Sequence, residues 1–397
     1  MNILLQFLSV VVCLLSVALA ACVAVFAVQI VSSAFRGGRR VDSLKGSPRG
    51  PLAVLVPAHN EALVIAETIA CLRPQLAPND RLLVVADNCS DETAAIARLA
   101  GAEVVERTSD LRGKGYALAH GMDHLRQQPP EAVLIVDADC EVSAGALEIL
   151  VSELIRSGRP VQALYLMLSP SGAGLPRRIA EFAWRVRNQL RPAGWQALGL
   201  PCQLMGTGMA FSWSMLRDAP LANASIVEDM KLGIDLAREG TPPLFCESAL
   251  VTSRFPDSAK ASTSQRTRWE HGHLGMILRE VPAMIVAAGK RRDIRLLGLA
   301  LDLAVPPLAL LAGLLVLDWL LSFAIRILGG GASLLAAVSV VLLLFFAAVL
   351  LAWRLRGRDL VRSLELLSIP WYVLAKIPLY IGFLVRRQKA WIRTDRE

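Results

Sequence analysis

Several features that would classify a chain quickly are missing from this 397-residue sequence. The first long apolar run, residues 3–35, holds no charged side chain, and Met1-Asn2 ahead of it supply no basic stretch. A cleaved export signal wants that basic start and a shorter core, so a retained membrane anchor is expected, even though Leu19-Ala20-Ala21-Cys22 resembles a lipoprotein cleavage site. Cys13, Cys22, Cys71, Cys89, Cys140, Cys202 and Cys246 form no close pairs and no metal-ligand spacing. That excludes a disulfide framework or zinc module and suits free thiols in a reducing compartment. No glycine-rich phosphate loop follows the first strand candidate, which argues against dinucleotide dehydrogenases and P-loop kinases. The net charge of +8 comes without interleaved aromatic and basic residues, and much of it flanks apolar runs. It therefore answers to membrane topology and anionic lipid headgroups, and nucleic acid is not an expected partner. Internal repeats and long low-complexity tracts are lacking too.

What is present is a mixture: 54% hydrophobic residues, 19% charged and a mean hydropathy of +0.48. Residues 1–35 read as an N-terminal transmembrane anchor. Arg36, Arg39 and Arg40 follow it, which by the positive-inside rule puts the next segment in the cytoplasm. Residues 36–289 are long enough for one large α/β domain with interfacial helices. Residues 290–397 read as a C-terminal membrane region with spans at about 296–323 and 333–353, joined through Gly329-Gly330-Gly331. Lys290, Arg291, Arg292 and Arg295 precede that pair and Arg354, Arg356 and Arg358 follow it, so both flanks read as cytoplasmic. The tail, about 360–385, is apolar but broken by Arg362, Glu365, Lys376, Pro370 and Pro378. It is expected to be interfacial or re-entrant, with a basic end. The sum is a multi-pass protein of a bacterial-type inner membrane with its α/β domain in the cytoplasm.

In that domain strand-like runs alternate with helical patterns. Leu52–Val56 precedes a helix from about Glu61 to Leu72, and Arg81–Ala86 precedes a helix over Asp91–Leu99. Val104-Val105 precedes a helix over Gly115–Leu125, and Ala132–Val136 is apolar throughout, as a strand buried on both faces requires. This order predicts a doubly wound sheet, whose ligands bind beyond the carboxyl ends of the strands. The polar residues stand at those ends: His59-Asn60-Glu61, Asp87-Asn88 and Asp137-Ala138-Asp139. Leu175–Leu190 sets Ile179, Phe182, Val186 and Leu190 at helical spacing against Arg177, Arg178, Arg185, Arg187 and Arg191. It suits a helix on the membrane surface or, equally, one with a solvated charged face.

Three constellations carry chemistry. Carboxylates at i and i+2 just past a strand, as in Asp137-x-Asp139, can place one on a divalent ion and the other on ribose or sugar. Glu228-Asp229 is an acidic pair on an apolar background, read either as a general base with a neighbour or as an acidic first turn of a helix. Gln265-x-x-Arg268-Trp269 offers a guanidinium for a diphosphate and an indole for a sugar face, and equally suits an amphipathic helix. Gly206-Thr207-Gly208 lets backbone approach a ligand closely. His120, His124, His271 and His273 fit no catalytic arrangement and are expected to be structural or exposed.

In order along the chain, these motifs resemble glycosyltransferase family 2, the inverting GT-A group that includes cellulose, chitin and hyaluronan synthases and exopolysaccharide transferases. The resemblance rests on Pro57…Asn60-Glu61, Asp87, Gly113-Lys114-Gly115, Asp137-x-Asp139, Gly206, Glu228-Asp229 and Gln265-x-x-Arg268-Trp269, and covers roughly residues 50–275. It implies an α/β GT-A domain that moves a sugar from a nucleotide-sugar donor, usually a UDP-sugar, to a lipid-linked or growing polysaccharide acceptor. Mg²⁺ or Mn²⁺ would serve as cofactor and membrane lipids as surroundings. Glu61, Asp87, Lys114, Asp137 and Arg268 would bind the donor, Asp139 the metal, and Gly206, Thr207, Glu228, Gln265 and Trp269 the acceptor side, with Asp229 as the base. Val227 and His59 depart from the Thr and aromatic residue usual at their positions, which touches acceptor identity rather than the reacting groups. A processive synthase that extrudes its polymer is the alternative within the class. A membrane-tethered nucleotidyl or phosphosugar transferase and a non-catalytic sensor are the alternatives outside it. Gln265-x-x-Arg268-Trp269 has no role in the former, and a sensor needs no general base.

Overall fold

The computed structural model describes residues 3–35, 49–223, 226–256 and 258–385. The topology markers Arg36, Arg39, Arg40, Arg386, Arg387, Lys389 and Arg393 lie outside the described residues. The order of elements is α1 (Ile3–Ala34), β1 (Leu52–Ala58), α2 (Ile65–Leu72), β2 (Arg81–Asp87), α3 (Thr93–Leu99), β3 (Glu103–Arg107), α4 (Lys114–Leu125) and β4 (Ala132–Ile135). Then come β5 (Glu141–Val142), α5 (Ala146–Ser157), β6 (Val161–Leu168), α6 (Leu175–Arg185), α7 (Arg191–Ala197), β7 (Met209–Ser212), α8 (Trp213–Leu216), α9 (Glu228–Arg238) and β8 (Leu244–Arg254). The chain finishes with α10 (Ala259–Arg291), α11 (Ile294–Ala304), α12 (Leu308–Ile327), α13 (Ala332–Arg356), α14 (Ile369–Leu374) and α15 (Ile377–Val385).

An eight-stranded sheet in the order β3-β2-β1-β4-β7-β6-β8-β5 forms the centre. The β3-β2-β1-β4 half is parallel, as the alternating strands and helices predict, while β7 runs antiparallel to both β4 and β6. Leu52, Val54 and Val56 face one apolar core with α2 and α5, and Ala53 and Leu55 face another with α4. Burial on both faces is why β1 carries no polar alternation. β1 also runs past Val56, where Pro57 was expected to end it. Leu55 O accepts from Val136 N–H, so Pro57, two residues on, turns to the same side, beyond the last β1–β4 pair. A residue without an N–H loses no ladder bond there.

Among the described residues, four helical segments are long and apolar enough to cross a membrane: Ile3–Ala34, Leu308–Ile327, Ala332–Arg356 and Ser363–Val385. This is a membrane protein. The run expected as one span over 296–323 is two helices, α11 and α12, because Pro306-Pro307 interrupt it; proline lacks the N–H and disfavours helix in the residue before it. α12 alone of the two meets the length for crossing, while α11 packs through Leu296, Leu299 and Leu303 against Met230 of α9 and Met284 of α10. Ser363–Val385 is divided into a 3₁₀ turn, α14 and α15. The segment over 175–190 buries its apolar face within the protein, while its basic face stays partly open, the Arg178 side chain being 29% exposed. Ile179, Phe182, Val186 and Leu190 are buried with Phe26 and Ile30 of α1, Leu311 of α12 and Phe345 of α13.

Candidate functional site

At the tips of β1 and β2, Asn60 (φ 55°) and Asn88 (φ 52°) take the left-handed conformation, which asparagine tolerates better than most residues. Their side chains secure the turns: Asn60 Oδ1 accepts from Ser90 N–H (2.7 Å) and Asn88 Oδ1 from Ser109 N–H (2.8 Å). His59 Nδ1 lies 2.7 Å from Asp87 O. Asp87 is 6% exposed, and its carboxylate receives Arg107 Nη1 at 2.5 Å. Past β4, Thr68 Oγ1 donates to Ala138 O (2.8 Å) and Asp137 N–H donates to Thr207 Oγ1 (3.0 Å). Thr207, expected on the acceptor side, is fully buried; its hydroxyl also donates to Cys140 Sγ (3.4 Å). It braces the Asp137–Asp139 turn from behind and presents no surface to the cavity.

Lys114 ties the tips to the second half of the domain. Its Nζ lies 2.5 Å from Asp137 Oδ1 and 3.9 Å from Glu228 Oε1, and donates to Gly206 O at 2.7 Å. Burial pulls the ammonium pKa down, but Asp137 and Glu228 more than offset this and leave it well above the ordinary lysine value. Gly206 is required by its φ of 90°, and it lies close to the charged groups: a Cβ there would reach van der Waals contact with Asp229 Oδ2 (3.4 Å) and Lys114 Nζ (3.7 Å). Glu228 and Asp229 open α9. Burial raises both carboxyls above the usual carboxylate range, and Lys114 holds both down. A raised carboxyl facing a ligand cavity is the environment of a general base.

One cavity of about 230 Å³ gathers these groups. Glu61, Asp87, Lys114, Asp137, Asp139, Gly206, Glu228, Asp229, Gln265, Arg268 and Trp269 all line it. Of the residues given a ligand, metal or catalytic role in the sequence, Thr207 is the one left behind the wall. Sequence reasoning missed others on the lining: Tyr165, Trp184, Asn188 and Met205, with Arg187 noted there merely as part of a basic face. Trp184 packs on Trp269 at 5.0 Å between ring centroids and edge-on to Tyr165 at 5.6 Å. The helical spacing of Trp184, Arg187 and Asn188 was visible, but nothing in it separates a cavity face from a solvent face. His271 and His273 are buried, with Nε2 against Leu379 O (2.9 Å) and Leu303 O (3.2 Å).

The ligand atoms of Asp137, Asp139 and Cys140 lie within 4.8 Å of one another. Burial pushes the Cys140 thiol far above its ordinary pKa, so it stays protonated, and Thr207 already bonds to its sulfur. The donors that remain are two hard carboxylates, the set that Mg²⁺ or Mn²⁺ takes when substrate oxygens complete the shell. The residues fit such an ion.

A family model described as "Glycosyltransferase like family 2" matches residues 48–272. The probable glycosyltransferase YdaM of Bacillus subtilis is 25% identical over 254 residues, covering 60% of this chain and 58% of the relative. The 4,4'-diaponeurosporenoate glycosyltransferase of Staphylococcus aureus is 33% identical over 107 residues, 26% of this chain and 28% of its own. The matches thus span less than two thirds of either relative. Among solved structures, the mannosyltransferase from Pyrobaculum calidifontis in complex with GDP-Man and Mn²⁺ has a TM-score of 0.56 at 16% identity, covering 96% of this chain and 100% of that one. At that identity the likeness shows the fold alone, and its coverage takes in the flanking helices as well as the sheet. The motifs, the sheet that carries them and the extent of the match lead to one statement: the chain belongs to glycosyltransferase family 2 and has the GT-A fold.

Proposed function

We propose that this transferase moves a sugar, with inversion, from a nucleotide-sugar to a lipid-linked or glycan acceptor at the membrane face, with a divalent ion at Asp139. The observation that carries the reading is the single cavity in which Asp137 and Asp139, Lys114, the Glu228-Asp229 pair and Gln265-x-x-Arg268-Trp269 meet. Glu61, Asp87, Lys114, Asp137 and Arg268 hold the donor. Gly206, Glu228, Gln265 and Trp269 shape the acceptor side, and Asp229 accepts the proton of the attacking hydroxyl. When bound, the divalent ion neutralises charge on the leaving diphosphate. Purified protein given a panel of UDP- and GDP-sugars, with and without lipid acceptors, tests this through release of free nucleoside diphosphate and the anomeric configuration of the product. Absence of release from every donor would sink it.

Addition of one or a few sugars fits better than export of a polymer. A polysaccharide in transit needs a polar path, since its hydroxyls cannot stay unpaired in hydrocarbon. The two acidic side chains that interrupt the apolar runs are already engaged. Asp302 accepts from Gln29 Nε2 (2.7 Å) and Arg191 Nη2 (2.9 Å), and Asp318 from Ser16 Oγ (3.0 Å). Sizing products by mass spectrometry decides it, a ladder of long chains favouring the processive synthase. The tail stays on the cytoplasmic face in this reading. In support, Lys376 Nζ pairs with Glu270 Oε1 of α10 at 2.6 Å. Labelling of Glu397→Cys by an impermeant reagent in intact cells would refute it.

A further inference from the structure

Five arginines lie between Leu175 and Arg191. Four are engaged by other groups. Arg177 donates to Pro256 O (3.2 Å), Arg178 to Glu365 (2.7 Å), Arg185 to Glu181 (2.9 Å) and Asp359 (2.7 Å), and Arg191 to Gln29 and Asp302 (2.9 Å each). Arg187 differs. Among the described residues it meets no carboxylate or carbonyl at hydrogen-bonding distance; its guanidinium lies 5.8 Å from the Trp184 ring centroid and lines the cavity. A guanidinium keeps its charge, and one half-buried in a cavity wall with no carboxylate in direct contact leaves its donors open to an anionic ligand.

The local backbone holds it there. Pro192 has no N–H to donate to Asn188 O, and its ring would press on that carbonyl. The helix answers with a π turn over Val186–Leu190, closed by Arg191 N–H to Val186 O. Such turns recur at functional sites. Val186 and Leu190 are buried against the membrane helices while Arg187 and Asn188 line the cavity, so this stretch of wall joins the site to the apolar bundle. Trp184, under the Arg187 guanidinium, packs at 5.0 Å on Trp269 of the acceptor side, whereas Lys114 already answers Asp137 on the donor side.

We propose that Arg187, seated over Trp184, forms an anion subsite on the acceptor side, and that the acceptor is an amphiphile with a phosphate or carboxylate bound there; the proposal rests on the transferase reading above. The test uses the full chain in nanodiscs of zwitterionic lipid. Binding of farnesyl phosphate, farnesoate and farnesol is read by intrinsic tryptophan fluorescence, so the two acid arms separate phosphate from carboxylate. The expected result is a preference of about tenfold or more for at least one acid over the alcohol, the worth of a charged hydrogen-bond set. Arg187→Met loses that preference and keeps Mg²⁺-dependent binding of nucleoside diphosphate, and Arg187→Lys restores part of it. Equal binding of acid and alcohol by the unaltered protein, or an undiminished preference in Arg187→Met, overturns the proposal. So does a parallel loss of nucleoside diphosphate affinity, which would move Arg187 to the donor. Because binding is read without turnover, a protein inactive on every nucleotide-sugar would sink the transferase reading and leave the subsite standing.

Discussion

Along one wall of the cavity, His59, Asp87 and Asp137 stand at the ends of parallel strands whose apolar residues are wholly buried between two helical layers. Along the other, Trp184 and Arg187 ride on a helix whose back presses on α1, α12 and α13, and Gln265–Trp269 ride on α10, which packs on α9 and α11. The first wall is set by backbone pairing inside the sheet. The second is set by side-chain packing that reaches into the membrane helices. In the proposed reading, donor chemistry therefore belongs to the sheet, and acceptor chemistry depends on the bundle as well. Changes in the bundle should reach the second wall and spare the first.

The largest break in that comparison is Asp139→Ala. It should abolish metal-dependent binding of nucleoside diphosphate, and turnover with it, because few protein ligands hold the ion. Titration calorimetry with and without chelator checks this, and donor binding that ignores chelator would contradict it. On the other wall, Asp229→Asn should lower turnover about 10²–10⁴-fold while donor affinity stays near that of the unaltered protein. A matched loss of affinity would show that Asp229 binds rather than abstracts.

Asp302→Leu sharpens the dependence on the bundle, since it removes the carboxylate paired with the Arg191 guanidinium, whose side chain is 7% exposed. Breaking a buried pair costs about 3–5 kcal/mol, to be seen as a lower denaturation midpoint. Donor affinity of the folded fraction should not change; if it falls, the two walls are not separable. The smallest effect is on pH. Asp229 must be charged to take a proton, and burial raises its pKa. Turnover should therefore fall with decreasing pH through a limb above the ~4 of an ordinary aspartate. Lys114 lowers that pKa, so Lys114→Met should move the limb further toward alkaline pH. An acid limb at the ordinary value, unmoved by Lys114→Met, would refute this.

The wall made of strand tips was legible because one-dimensional signals specify it: an apolar run, then Asn-Glu, Asp-Asn or Asp-x-Asp where the strand must turn. Small departures, such as β1 continuing through Pro57, depended on where β4 stops pairing. The helical wall was legible as motif but not as placement. Apolar Ile179 and Phe182 announce a buried face without saying that the burying partner is α1, more than a hundred residues earlier in the chain. Pro306-Pro307 were plain in the sequence, yet the hydropathy around them masks the break between α11 and α12. Thr207 looked like a ligand contact because Gly206 beside it lines the cavity, and its burial behind the wall is a property of the folded turn alone.

The crossing of α1 with α7 has a practical consequence. Gly194 lies so close to the Gln29 backbone that a Cβ there would stand 1.8 Å from Gln29 O. Gln29 itself, with no exposed surface, accepts from Arg191 and donates to Asp302. A fragment cut after Phe35 to give a water-soluble catalytic domain would keep every recognisable motif and lose this partner. It would expose the flat small-residue face at Gly194 and leave Arg191 one acceptor short. Such a fragment should aggregate or need detergent, and co-expressing residues 1–35 as a separate peptide should rescue it by reassembly.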